Sequence, residues 1–238
     1  MTSAVIVQAR MTSTRLPGKV LKELAGTTVL DHVLTRCAAI PGIDQVCCAV
    51  PEGKLHDAVA VEAERCGAIA IRGSEFDVLD RYHHAAKVLN ADIVMRVTSD
   101  CPLIDPGLCG KVLAALLADG TADYAANNFS HRFPHGLDCE AFTAKALTRA
   151  WKEATADYDR EHVTPWLRQA PDIRRISLDG PDAELGKLRW TLDYPEDLEF
   201  CRALFVHLGP GIPPWNETLR ICRDHPELQS LNVMRRQR

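Results

Sequence analysis

The stretch VIVQARMTSTRLPGKVL, residues 5–21, decides how the rest of the chain is read. Val5 to Ala9 form a short, largely apolar run of strand character that feeds directly into a loop bearing Arg10, Arg15 and Lys19. Thr12, Ser13 and Thr14 lie between the two arginines, and Leu16-Pro17-Gly18 leads to the lysine. A chain of formal net charge -4 has no general need for three cations on one loop. Two arginines can donate planar, charge-assisted hydrogen bonds to phosphate oxygens, and a lysine adds a compact charge. Small hydroxyls leave the backbone amides accessible, and Gly18 permits close approach. The loop therefore reads as a polyphosphate binder, against the plainer alternative of a solvated basic loop. It is neither a Walker A loop nor a G-x-G-x-x-G fingerprint.

Outward from this loop, strand-like and helix-like runs alternate. AVIVQA (4–9), QVCCAV (45–50), AIAIRG (68–73) and DIVMRV (92–97) read as strands. TVLDHVLTRCAAI (28–40), LHDAVAVEAERCG (55–67) and DVLDRYHHAAKVL (77–89) read as the helices between them. That order predicts a parallel sheet covered on both faces, with ligands beyond the carboxyl ends of the strands. In the second half, 123–128, 137–142, 174–178 and 189–193 read as short strands, and 143–154, 158–169 and 196–208 as helices. No linker or repeat separates the halves, so one domain over residues 1–238 with a mixed extension of the same sheet is expected.

Composition narrows the class. Apolar content of 46% and charged content of 25% suit a soluble globular chain. A pI near 6.1 argues against a general nucleic-acid binder, so the closing RRQR (235–238) reads as a solvated tail. No segment approaches the ~20 continuous apolar residues of a membrane span. No signal peptide is evident either, and a cytoplasmic location is expected. Nine scattered cysteines without a C-x-x-C pair read as reduced core thiols, not zinc ligands.

Two acidic positions stand out. Asp100 in RVTSDCPLIDP (96–106) falls just past the fourth strand, on the edge expected for the cationic loop. A carboxylate there would repel a triphosphate unless a divalent cation lay between them, and Mg²⁺ suits a site with few protein carboxylates. Asp105 before Pro106 reads as a helix cap. Asp193 in RWTLDYPEDLEF (189–200) closes a strand-like run, and residue chemistry alone leaves it between a metal ligand and a helix cap. Glu196 and Asp197 are accounted for by the first turn of a helix. Cys101 has no base beside it and reads as an inert thiol.

The motif QARMTSTRLPGKVL (8–21) resembles the signature loop of the sugar-activating cytidylyltransferases, the group of the CMP-KDO and CMP-acylneuraminate synthetases, and most closely its SpsF-like branch. The resemblance implies a three-layer α/β/α sandwich of the nucleotide-diphospho-sugar transferase type with a mixed, mostly parallel sheet. It implies that Arg10, Arg15 and Lys19 hold phosphates, that Ala9 and nearby backbone meet the base, and that Ser13 belongs to the same nucleotide site. LDYPEDLE (192–199) looks like the family's late Asp-Thr-Pro-Glu-Asp-Leu motif, with Tyr194 in place of threonine. On that likeness Asp100 and Asp193 serve the metal, with Mg²⁺ the expected ion. GSEFDVLDRYHHAA (73–86) is similar to a family region near the nucleotide, which would place Asp80 and Arg81 there.

HGLDCE (135–140) resembles a branch element that suggests acceptor contacts for Asp138 and Glu140, the plainer reading being a surface loop. REHVT (160–164) likewise suggests an acceptor or phosphate contact for Arg160 and His162, against an exposed helix face. The resulting expectation is a nucleotidyltransferase of EC 2.7.7 type. An acceptor oxygen attacks the α-phosphorus of CTP or another NTP, with Arg15, Lys19 and Asp100 as the catalytic residues. A sugar, sugar acid or related small acceptor is expected, with no nucleic-acid or membrane partner. Members of the family are often dimers, so a homodimer is the assembly it implies. The rivals are a glycosyltransferase of the same fold, which would usually carry an Asp-x-Asp motif, and a non-catalytic nucleotide binder.

Overall fold

The computed structural model describes residues 1–235, so the last three residues of the RRQR stretch lie outside the described residues. Strand β1 (Ser3–Gln8) is followed by the cationic loop and a small hairpin, β2 (Glu23–Leu24) and β3 (Thr27–Thr28). Then come α1 (Val29–Ala38), β4 (Gln45–Pro51), α2 (Asp57–Arg65), β5 (Ile69–Gly73), α3 (Val78–Val88) and β6 (Ile93–Thr98). Helix α4 (Pro106–Asp119) precedes β7 (Tyr124–Ala126), β8 (Glu140–Thr143) and α5 (Ala144–Glu153). The chain continues through α6 (Asp157–His162), α7 (Pro165–Gln169), β9 (Arg175–Ser177), α8 (Pro195–His207), α9 (Trp215–Asp224) and α10 (Pro226–Ser230).

Seven strands form one sheet in the order β5-β4-β1-β6-β8-β7-β9. The pairs β5-β4, β4-β1, β1-β6 and β7-β9 are parallel, whereas β8 runs antiparallel to both its neighbours. Alternation along each strand divides the core in two. Val5, Val7, Cys48, Val50, Met95 and Val97 pack with α1, α2 and α4. Ala4, Ile6, Cys47, Ala49, Val94 and Phe142 pack on the other face with α3 and α5. The result is a three-layer α/β/α sandwich with a mixed, mostly parallel sheet. A third cluster joins α8, α9 and α10 to Leu24, Leu137, Trp190 and Leu192.

The site is positioned by a change of direction. From β1 the chain passes through α1 to β4 on one side, and later returns through α3 to β6 on the other. The connections diverge between β1 and β6, and such divergence opens a crevice at the carboxyl ends of the strands. Gln8 pairs in register with Thr98 at that rim.

Two elements differ from the sequence reading. Residues 189–193 do not form a strand of the sheet: Arg189 makes one isolated bridge to His135, and Leu192 N donates to Asp100 O at 2.8 Å. The segment crosses the strand ends, buried along its length, and its backbone has loops for partners. The run 158–169 is two short helices, because Val163 takes φ 71 and Pro165 starts a new turn. Thr164 N donates back to His162 O at 2.8 Å, closing a tight γ-type turn. None of the nine cysteines is in a disulfide, and eight are buried. Among the described residues no helix is long and apolar enough to cross a membrane.

Candidate active site

The loop after β1 is fastened from both ends. Ala9 N donates to Ala49 O at 3.1 Å, Met11 N to His56 Nδ1 at 3.2 Å, and the Thr12 hydroxyl to Glu75 at 2.6 Å. Gly18, at φ 64, turns the chain back so that its N–H reaches Met11 O at 3.1 Å. This turn delivers Lys19 to the rim. Its Nζ donates to Asp100 Oδ2, Asp193 Oδ1 and Leu192 O, each at 2.9 Å. Arg15 joins Asp193 Oδ1 at 2.8 Å. Two acids separated by ninety-three positions thus meet on one ammonium from the first loop.

The charge states follow from these contacts. Burial works against the Lys19 charge, but Asp100 and Asp193 more than offset it and hold the ammonium above its usual pKa. Burial alone would raise Asp100; Lys19 and the Thr98 hydroxyl, 2.5 Å away, hold it well below the ordinary carboxylate range. Behind Asp193 stands a second layer. Arg189, only 4% exposed, donates to Asp193 Oδ2 at 3.0 Å and grips both oxygens of Asp197 at 2.8 and 2.9 Å. Asp197 also accepts the backbone N–H groups of Asp193 and Tyr194, each at 3.0 Å, so it orders the turn that presents Asp193. Asn232 reaches back from beyond α10 to Arg189 O and Asp197.

Two cavities open at this rim. The smaller, about 230 Å³, is lined by Ala9, Arg10, Ser13, Arg15, Lys19 and Arg81 together with Asp100 and Asp193. The larger, about 960 Å³, shares Arg15, Asp100 and Asp193 and extends over Asp138, Glu140 and His162. His162 borders both. Glu140 forms the floor of the larger space: it accepts from Arg96 at 2.6 Å, Arg168 at 3.1 Å, Thr164 at 3.0 Å and the Tyr124 hydroxyl. Burial opposes its charge, yet Arg96 and its other donors bring its pKa below the usual value. Asp138 accepts from Gly136 N at 3.0 Å.

The structure does not bring Asp80 or Arg160 to either cavity. Asp80 accepts the Trp151 indole N–H at 2.7 Å, tying α3 to α5. Arg160 spends its donors on Asp77 and Trp151 O, and so fixes α6 to the start of α3. Asp105 caps α4 through Leu108 N at 2.6 Å. Cys101 is 3% exposed, and burial, then Asp100, push its thiol pKa up. His56, Glu75 and Arg189 were not singled out by the sequence reading. Arg189 had a visible signal, lying four and eight residues before two acids.

The sequence model of the cytidylyltransferase family matches residues 4–211. The chain belongs to that family. This nucleotidyltransferase is 31% identical over 211 residues to the spore coat polysaccharide biosynthesis protein SpsF of Bacillus subtilis, covering 86% of each chain. It is 38% identical over 196 residues to the 3-deoxy-manno-octulosonate cytidylyltransferase of Maricaulis maris, covering 76% of this chain and 73% of the relative. A cytidylyltransferase structure from Leptospira borgpetersenii superposes with a TM-score of 0.92 at 28% identity, over 96% and 97% of the two chains. A CMP:2-keto-3-deoxy-manno-octonic acid synthetase complexed with CTP shares the fold, with a TM-score of 0.67 at 19% identity over 87% and 99%.

Proposed function

We propose that this cytidylyltransferase moves CMP from CTP to a sugar, sugar acid or related small acceptor, releasing pyrophosphate, in the synthesis of a surface-polysaccharide or glycoconjugate precursor. The observation that carries the reading is Lys19 Nζ at 2.9 Å from both Asp100 and Asp193, where two cavities share a wall. A nucleotide in the smaller space and an acceptor in the larger would meet at that wall. The names of the SpsF and 3-deoxy-manno-octulosonate relatives support a sugar-like acceptor, and the CTP complex of the related fold supports the donor. One domain working in the cytoplasm, alone or as a homodimer and without nucleic acid or membrane, is the setting that fits.

In this reading the acceptor oxygen attacks the α-phosphorus in line, the bond to the β-phosphate oxygen breaks, and pyrophosphate departs. Such chemistry depends on positioning and charge neutralisation. Arg15 and Lys19 neutralise the departing pyrophosphate, with Arg10 and Ser13 as further phosphate contacts and Ala9 and Arg81 nearer the nucleoside. Asp138 and His162 face the acceptor, and Glu140 serves it indirectly by holding Arg96 and Arg168 in the wall of the larger cavity. The donor set fits a divalent cation: two carboxylates converge on a single positive centre, and Asp100 remains 25% exposed towards the cavity. Asp100 and Asp193 would hold Mg²⁺, which when bound offsets triphosphate charge and polarises the phosphorus.

A pyrophosphate-release screen of the four nucleotides against sugars, sugar phosphates and sugar acids tests the reaction. CTP is expected to be preferred, EDTA to stop turnover and added Mg²⁺ to restore it. Asp100→Asn is expected to lower turnover by about 10²-fold or more while the circular dichroism spectrum is kept. Equal turnover in parent and variant would remove Asp100 from the chemistry.

A further inference from the structure

Each acid lining the larger cavity is already engaged, and a histidine beside them is not. Asp100 and Asp193 hold Lys19, Glu140 holds Arg96 and Arg168, and Asp138 accepts Gly136 N. His135 lines the same space and is exposed, and among the described residues its imidazole has no hydrogen-bond partner.

The backbone of His135 is fixed although its ring is free. His135 N donates to Leu188 O at 3.0 Å, Trp190 N donates to His135 O at 2.7 Å, and a parallel bridge joins His135 to Arg189. Gly136 lets the two segments close, since a Cβ there would meet Thr191 N at 2.6 Å. The segment that grips His135 also grips Asp100: Leu192 N and the Thr191 hydroxyl donate to Asp100 O at 2.8 and 3.1 Å. One stretch, 188–193, therefore holds the imidazole, Asp100 and Asp193 in a common frame. Asp100 is opposed by burial, kept ionised by Lys19 and Thr98, and helped further by positive charge on His135, so that ring is within electrostatic reach of it. The other two histidines of the cavity lack this frame. His131 lies outside the bridge, and His162 is on α6 with its ring 4.5 Å from that of Tyr158.

We propose that His135 is the general base that takes the proton from the attacking hydroxyl of the acceptor. The inference rests on the nucleotidyl-transfer reading. The acceptor O–H bond breaks towards an imidazole nitrogen, and its electron pair forms the new bond to the α-phosphorus. The bond to the β-phosphate oxygen breaks, and its pair leaves on pyrophosphate. The imidazolium then passes its proton to solvent, to which the side chain is open. Imidazole is the side chain most often used for this task, and a positioned base is worth about 10²–10⁴-fold in rate.

Steady-state kinetics of the parent, His135→Gln and His135→Ala with CTP, MgCl₂ and the panel of sugars, sugar phosphates and sugar acids tests this. Both variants should lose about 10²–10⁴-fold in kcat, with acceptor KM and calorimetric CTP affinity near parental. Added imidazole should return much of the lost turnover to His135→Ala. A glutamine variant with parental kcat overturns the inference, and decides the matter if the alanine variant does not fold. A folded alanine variant that imidazole does not restore overturns it too, as does one restored by excess MgCl₂ alone, which would make His135 a metal ligand. Turnover confined to sugar phosphates also overturns it, because their attacking oxygen is already ionised and needs no base. A parent that releases pyrophosphate with no member of the panel would instead overturn the transfer reading.

Discussion

Asp193 does different work on its two oxygens. Oδ1 takes Arg15 and Lys19, while Oδ2 is occupied by Arg189, whose remaining donors hold Asp197. Arg189 therefore decides which oxygen faces the cavity. Arg189→Met is expected to cut kcat/KM by about 10²-fold, and Arg189→Lys to recover part of it, as for partners that orient a ligand-bearing carboxylate. Steady-state kinetics alongside thermal melts would separate this from loss of fold. At this scale Lys19 and Asp100 were legible from their places beyond the first and fourth strands, whereas residue chemistry left Asp193 between ligand and cap and only its likeness to the family's late motif singled it out. Arg189 was hidden by the strand reading of 189–193, which drew attention to hydrophobic alternation. Asp80 and Arg160 show the converse. Their motif looked functional, but both side chains are consumed by packing between α3, α5 and α6.

Elements carry a different kind of information. The four parallel strands were legible because each is apolar on both faces, as a strand covered by helices on both sides must be. The break at Val163 was not, because a left-handed, β-branched residue inside a helical pattern is set by tertiary contacts. That break seats Thr164 over Glu140 and leaves His162 at the junction of the cavities. On β8, Glu140 has its folded pKa lowered, so it stabilises the protein fully above its unfolded value of about 4.3 and ceases to as pH falls through the folded one. Urea unfolding of parent and Glu140→Gln should thus differ by a constant amount from about pH 6 to 8, and converge on acidification below about 4. A gap that persists unchanged to pH 2 would count against an ionised Glu140.

Across the whole molecule, the site joins parts that are remote along the chain. The first loop supplies the cations, the turn after β6 supplies Asp100, and the segment before α8 supplies Asp193. The segment beyond α10 locks the last of these through Asn232. Removing residues from Pro226 onward is expected to lower both the melting temperature and CTP turnover, since Leu228 leaves the third core cluster and Asp197 loses a donor. A scanning melt with the pyrophosphate assay would show it. Full turnover after the deletion would mean that Asp197 needs no support from the C-terminal segment.

The shared ammonium has a thermodynamic corollary. With Lys19 and Arg15 already matched to Asp100 and Asp193, the resting site is close to internally neutral. An anion arriving by itself gains little from Lys19 and Arg15, because capturing either strands an acid in a half-dry pocket. A lone positive guest meets the mirror-image penalty. Only a visitor bearing both signs can swap like for like, so the two ligands should bind synergistically. By linkage, each should strengthen the other's association by the same factor.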